Sequence, residues 1–222
     1  MLIAIEGIDG SGKGTQAKLL LESLQQTGRT ADLISFPQYD ATLFGRAIGE
    51  FLNGRFGALD EVNPYLVSLL YAGDRFESKS KLEAALKNNE YVVLDRYVAS
   101  NIAHQGSKVP VGERAEIISW IKQIEFGIYQ LPKPDLTVHL DLPVQAAQEL
   151  ITLKAKRTYT DKAADLQEAD GDYLSKVRDV YCELAVSEQN WQQINCYDVA
   201  TTAVRPLEEI HQELLTLVTG KN

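Results

Sequence analysis

The sequence predicts an α/β fold: a doubly wound, five-stranded parallel sheet with helices on both faces. Three observations predict it. Short runs that are apolar almost throughout recur along the chain, as strands buried on both faces require. Helical patterns lie between them and supply the crossovers that parallel strands need. The first run leads through a glycine-rich turn into an amphipathic helix. In order, strands are assigned to 2–5 (LIAI), 31–36 (ADLISF), 91–95 (YVVLD), 136–141 (LTVHLD) and 194–198 (INCYD). Helices are assigned near 13–26, 41–53, 64–88, 113–129, 143–152, 168–187 and 202–218. No repeat and no long linker divides the chain, so residues 1–222 are expected to form one domain. The polar, basic, weakly periodic stretch 152–165, "TLKAKRTYTDKAAD", reads as a flexible lid within it. A sheet of this kind holds its ligand at the carboxyl ends of its strands.

Composition narrows the function classes. With 45% hydrophobic and 24% charged residues, the chain has the balance of a globular protein with a substantial core. Its formal net charge of −9 disfavours non-specific nucleic-acid binding and adsorption to anionic membranes. A phosphorylated ligand must therefore be held by a few focused cations. Cys182 and Cys196 lack metal-ligand or redox spacing and read as reduced cysteines of a cytoplasmic protein. A strand begins at once, without a basic leader, and no apolar run reaches the roughly 20 residues of a membrane span.

The strongest chemical signal is "IAIEGIDGSGKGTQ". Gly7, Gly12 and Lys13 fit the phosphate-loop spacing G-x-x-x-x-G-K, after a strand and before a helix, the context that gives the pattern meaning. Glycines let backbone amides turn toward phosphate oxygens, the helix N-terminus adds its positive end, and Lys13 adds a full charge. Residues 7–15, Gly7-Ile8-Asp9-Gly10-Ser11-Gly12-Lys13-Gly14-Thr15, are the expected nucleotide-phosphate cradle. The competing reading is a strand–helix turn that merely uses glycine.

The pattern next wants Ser or Thr for magnesium, and this chain has Gly14. Thr15 is rotated from that position by about 100°. Magnesium readily keeps several waters, so phosphate oxygens and a carboxylate suffice. Asp95, closing the apolar run YVVLD, is the candidate, with a turn-forming aspartate as the alternative.

"IEGIDGSGKGTQ" at 5–16, "FPQY" at 36–39, "DRYVASN" at 95–101 and "LPKPD" at 131–135 together resemble the thymidylate kinase family. The likeness runs in order from residue 1 to about 187. It implies ATP as donor, dTMP as acceptor, Mg2+, a lid and a homodimer. It also implies site roles. Asp9 takes the deoxyribose 3′-hydroxyl and helps organise magnesium with Asp95. Arg96 contacts the acceptor phosphate and bridges toward the donor, while Arg75 fixes the base. Phe36 and Tyr71 flank the thymine, Pro37 adjoins it and Tyr39 reaches the phosphate. Asn101 bonds the pyrimidine edge, His104 and Gln105 border the deoxy sugar, and Asp165 stands near the nucleoside. Many relatives carry arginine inside the loop. This chain has none there, which assigns the transition-state cation to Lys156 and Arg157 of the lid. Many also carry Arg after Phe-Pro, where this chain has Gln38.

The residues suit that chemistry. A monophosphate acceptor is already an anion, so transfer needs alignment and cations more than a base. Rival readings are an adenylate-type kinase, a deoxynucleoside kinase and a non-catalytic nucleotide-binding module. Adenylate-type chains lack the Phe-Pro and Asp-Arg-Tyr arrangement. No carboxylate clearly serves a hydroxyl acceptor, and a GTP switch would want an N-K-x-D element that is missing.

Overall fold

The computed structural model of the protein describes residues 1–59, 61–152 and 170–220. Strands β1 (Leu2–Glu6), β2 (Ala31–Ser35), β3 (Tyr91–Asp95), β4 (Leu136–Asp141) and β5 (Trp191–Asn195) form one sheet in the order β2-β3-β1-β4-β5. Every pairing in it is parallel. The inner strands earn their apolar composition by burial on both faces: Ile3, Ile5, Val92, Val93, Leu94, Val138 and Leu140 are fully buried.

Helices α1 (Lys13–Gln26), α2 (Leu43–Leu52), α3 (Pro64–Glu77), α4 (Lys79–Asn88), α5 (Val98–Gly106), α6 (Arg114–Lys122), α7 (Val144–Thr152), α8 (Gly171–Ser187) and α9 (Leu207–Thr219) complete the described structure. α1 and α9 pack together, as do α5, α6 and α8. The helix expected over 64–88 is two, broken at Ser78. α6 continues as a π-helical turn, Gln123–Ile128. α9 begins at Leu207 rather than near 202, because 203–204 pairs in a small antiparallel ribbon with β6 (Tyr197–Asp198), making β7 (Ala203–Val204).

Two differences from the sequence reading have clear causes. The last strand lies at 191–195, not 194–198. It is an edge strand whose Gln192 and Gln193 are exposed, so its apolar signal is thin. Helix α5 was not expected at all. It spans only nine residues, too short a stretch for a helical period to stand out, and its polar face, Ser100, Asn101, His104 and Gln105, is buried on the cavity instead of facing solvent.

Register positions the site. Ile5 pairs with Asp95, and Asp95 with Ser35. The three loops that leave β1, β3 and β2 therefore start side by side at one edge of the sheet. Those loops carry the glycine-rich motif, Arg96 and the Phe-Pro pair.

Candidate active site

The loop after β1 folds tightly and delivers Lys13. Gly10 takes a left-handed φ of 87°, and a Cβ there would lie 2.3 Å from the Ala147 carbonyl oxygen, so only glycine fits. Ser11 N–H donates to the Ile8 carbonyl at 3.2 Å, and Gln16 N–H to the Gly12 carbonyl at 3.0 Å, which opens α1. Lys13 is buried, and its Nζ donates to the Ile8 carbonyl at 2.7 Å. Gly7, Ile8, Gly10 and Ser11 build the turn, while Thr15 is exposed on the first turn of α1.

Arg96, just past β3, has a φ of 70°, uncommon for a residue with a side chain. The bend is clamped on both sides. Arg96 N–H donates to the Ile5 carbonyl at 3.1 Å, and Tyr97 N–H to Glu6 Oε1 at 2.7 Å. Its guanidinium pairs with Asp9 through Nη2 and donates from Nη1 to Ser100 Oγ at 3.1 Å. Glu6 anchors this corner: its other oxygen accepts from Ser100 Oγ at 2.6 Å and Tyr181 OH at 3.0 Å. Burial raises the Glu6 carboxyl above its ordinary range, against the hydrogen bond from Ser100. Glu6, Ser100 and Tyr181 went unnoticed in the sequence; an acid closing an apolar strand was the available signal.

The loop after β2 is tied from two sides. Phe36 N–H donates to the Asp95 carbonyl at 3.0 Å. Fully buried Asp74 accepts from Gln38 N–H at 3.0 Å and from Thr42 Oγ1 at 2.5 Å. The Gln38 side chain donates to the Ser35 carbonyl and accepts from the Lys81 ammonium. The Phe36–Pro37 peptide is cis.

Behind these loops lies a polar wall. Arg75 and Glu125 form a two-bond ion pair, Nε to Oε2 and Nη2 to Oε1, each 2.5 Å, with side chains only 2% and 0% exposed. Asn101 Nδ2 donates to Glu125 Oε1 at 2.9 Å and to the Ser68 carbonyl at 3.0 Å. That turns its Oδ1 away from both, and Oδ1 is buried without a protein partner. Both amide atoms of fully buried Gln105 are likewise unpartnered. His104 Nδ1 bonds Tyr173 OH at 2.9 Å. Burial, then nearby Arg96, pulls the His104 pKa down to about 3, so it is neutral at pH 7.

All these elements border one cavity of about 360 Å3. Of the sequence-predicted residues, Asp9, Gly12, Lys13, Gly14, Phe36, Pro37, Tyr39, Tyr71, Arg75, Asp95, Arg96, Asn101, His104 and Gln105 line it. Ser35, Leu52 and Ser100 line it too and were not foreseen. Lys156, Arg157 and Asp165 lie outside the described residues. Gly14 now has a physical reason: a Cβ there would sit 2.9 Å from Asp95 Oδ2. The missing hydroxyl is the space that Asp95 occupies.

The two cation-bearing strand tips open on one space, with an aromatic and amide-lined recess beyond. Such a site suits a reaction between two phosphorylated partners, and on this sheet it defines the class of phosphate-loop nucleotide kinases. The comparisons go further. The family model described as thymidylate kinase matches residues 5–214. The chain is 34% identical over 191 residues to the thymidylate kinase of Mycobacterium tuberculosis, covering 86% of this chain and 87% of that protein. It is 35% identical over 217 residues to a probable thymidylate kinase of Methanocaldococcus jannaschii, covering 97% and 94% respectively. The solved thymidylate kinase of Candida albicans shares the fold, with a TM-score of 0.74 at 23% identity, over 99% of this chain and 91% of that one. The chain belongs to the thymidylate kinase family, and it is a nucleoside monophosphate kinase.

Proposed function

We propose that the chain transfers the γ-phosphoryl group of ATP to dTMP, giving dTDP and ADP. The observation that carries this reading is that Asn101 Oδ1 and both amide atoms of Gln105 are buried without a protein partner, on the cavity that also holds Lys13 and Arg96. A buried polar atom without a partner costs about 1–3 kcal/mol, which a ligand's hydrogen bond restores. Asn101 Oδ1 is an acceptor, so it suits the N3–H of thymine and faces a lone pair on the N3 of cytosine. Phe36 and Tyr71 sandwich the ring, Arg75 donates to its edge, and His104 and Gln105 border the sugar. Tyr39 and Arg96 take the acceptor phosphate. Asp9 holds Arg96 in place and accepts from the 3′-hydroxyl.

On the donor side, residues 7–15 cradle the phosphates of ATP, with Lys13 against the charge that builds at transfer. The hard oxygens of Asp95, with Asp9 nearby, suit magnesium, which when bound offsets charge on the β- and γ-phosphates. Lys156 and Arg157 as lid cations, and Asp165 near the nucleoside, rest on the family resemblance alone. Gly14→Ala tests the carboxylate's placement: Asp95 must swing aside, so kcat/KM is expected to fall on the order of 100-fold with thermal stability kept. An unchanged kcat/KM would remove Asp95 from the donor side.

The net charge of −9 supports a protein that works without nucleic acid. Among the described residues no helix is long and apolar enough to cross a membrane, and both cysteines are unpaired, which supports a cytoplasmic enzyme, while the one five-stranded sheet supports a single domain. A homodimer is supported by apolar side chains left exposed on neighbouring helices, Leu66 on α3 and Trp120 on α6.

An acceptor panel with Mg-ATP tests the function. Turnover of dTMP is expected to exceed that of AMP, dCMP and thymidine by at least about 100-fold in kcat/KM, the discrimination that unpaired buried polar groups allow. Comparable turnover of AMP would defeat the assignment.

A further inference from the structure

A second cavity, about 150 Å3, lies over the sheet face that carries Ala4 and Glu6 of β1 and Thr137 of β4. It is separate from the cavity just described and shares no lining residue with it. Its walls are Ile102 of α5, Phe126 of the π-helical turn, Leu184 of α8 and Trp191 of β5. A recess of that size, open on one side and with an aromatic and aliphatic wall, has room for one benzene-sized ring.

The rim is charged. Lys122 is occupied by Glu188, 2.5 Å away. Lys133, from the "LPKPD" stretch to which the kinase reading gives no task, is exposed. Its Nζ stands 5.7 Å from the Phe126 ring centre, and no carboxylate pairs with it among the described residues. Among the described residues the rim therefore carries one positive charge without a paired carboxylate, beside the Phe126 wall of the recess. Glu6 lines the cavity but accepts four hydrogen bonds from Tyr97, Ser100 and Tyr181, so it offers the occupant little.

Tyr97 links the two cavities. It lines the second, and its ring lies 6.0 Å from that of Phe36 and 6.0 Å from the Arg75 guanidinium carbon. Its backbone N–H is held by Glu6, whose partner Ser100 accepts from Arg96. Phe36, Arg75 and Arg96 all line the acceptor cavity.

We propose that the second cavity is a regulatory site for a small aromatic monocarboxylate, its ring between Phe126 and Trp191 and its carboxylate on Lys133. A ring seated there backs Tyr97 in the position that sets Phe36 and Arg75, so occupancy tightens acceptor binding. That second half rests on the acceptor reading of the first cavity; the binding half does not. By linkage, acceptor tightens the aromatic acid by the same factor.

The test uses benzoate as the probe and the indole N–H resonance of Trp191 as the reporter, in a Trp120→Phe background where that signal stands alone. The expected result is a saturable shift in the millimolar range, absent with acetate and weakened up to about fivefold by Lys133→Gln. Calorimetry should then show dTMP binding about fivefold tighter with the cavity saturated, at the lower end of ordinary coupling. No saturable shift, or equal affinity in Lys133→Gln, would overturn the site. A dTMP affinity unmoved by saturating benzoate would overturn its regulatory role. The Trp191 titration judges the cavity whether or not dTMP is the acceptor.

Discussion

Replacing Arg96 with alanine is expected to lower kcat by about 1,000-fold while the affinity for a non-hydrolysable ATP analogue stays within a few fold. The split follows from where the side chain stands. Arg96 leaves the tip of β3 beside β1, so it faces the same cavity as Lys13 without belonging to the phosphate loop. Negative charge rises between the two substrates as transfer proceeds, and a preorganised cation there acts on the transition state more than on either ground state. Its preorganisation is visible: Asp9 and Ser100 hold the guanidinium, and the clamped left-handed backbone leaves it little freedom. Removing it also takes the Arg96 charge away from Asp9, weakening the offset to a carboxylate that stands where two anions must meet. Arg96→Lys should recover only part of the loss, because one ammonium cannot keep Asp9, Ser100 and a phosphate together. A kcat within threefold of the parent would show that the residue organises the loop and does not act in transfer.

The second large effect is expected at Glu125, a residue that bears no chemistry of its own. Glu125→Gln leaves Arg75 charged and without its two-bond carboxylate in a fully buried position, and breaking such a pair costs about 3–5 kcal/mol. For a chain of this size that is a fall of about 10 °C in Tm. Glu125 also holds the Asn101 amide, so the KM for dTMP should rise with little change in the KM for ATP. Thermal unfolding and the two KM values together decide the matter. A lower Tm with both KM values unchanged would make the pair a scaffold only; an unchanged Tm would contradict the cost of the unpaired guanidinium.

These two residues mark the boundary of what the sequence discloses. Arg96 was legible because local signals coincide on it: an apolar run marks a strand, the strand's end marks the crevice, and the glycine motif marks its neighbour. Lys13, Asp9 and Asp95 were legible for the same reason. Glu125 was not, since an acid inside "IKQIEFGIY" looks like an ordinary helical charge until Arg75, fifty positions earlier, is found against it. Asp74 and Glu6 were hidden likewise, each defined by partners that only the fold brings near. Helix α5 escaped because it spans only nine residues, less than the stretch over which a helical period declares itself, and its polar face lines the cavity. The edge strand β5 was displaced by three residues because its glutamines face solvent. Gly14 reversed its meaning. In the sequence it was a departure from the magnesium-binding pattern; beside Asp95 it is the clearance that brings the carboxylate to the loop.

The central claim is that donor and acceptor meet in the single space between the β1 and β3 tips. A molecule joining adenosine and thymidine through a polyphosphate bridge measures this directly. Steady-state inhibition by that compound should be competitive against ATP and against dTMP alike, with an affinity at least about 100-fold above that of either nucleotide alone, because one tether supplies both at high effective concentration. Competition against only one substrate, or an affinity no better than that of a single nucleotide, would mean that the two anion sites do not serve one pair of reactants.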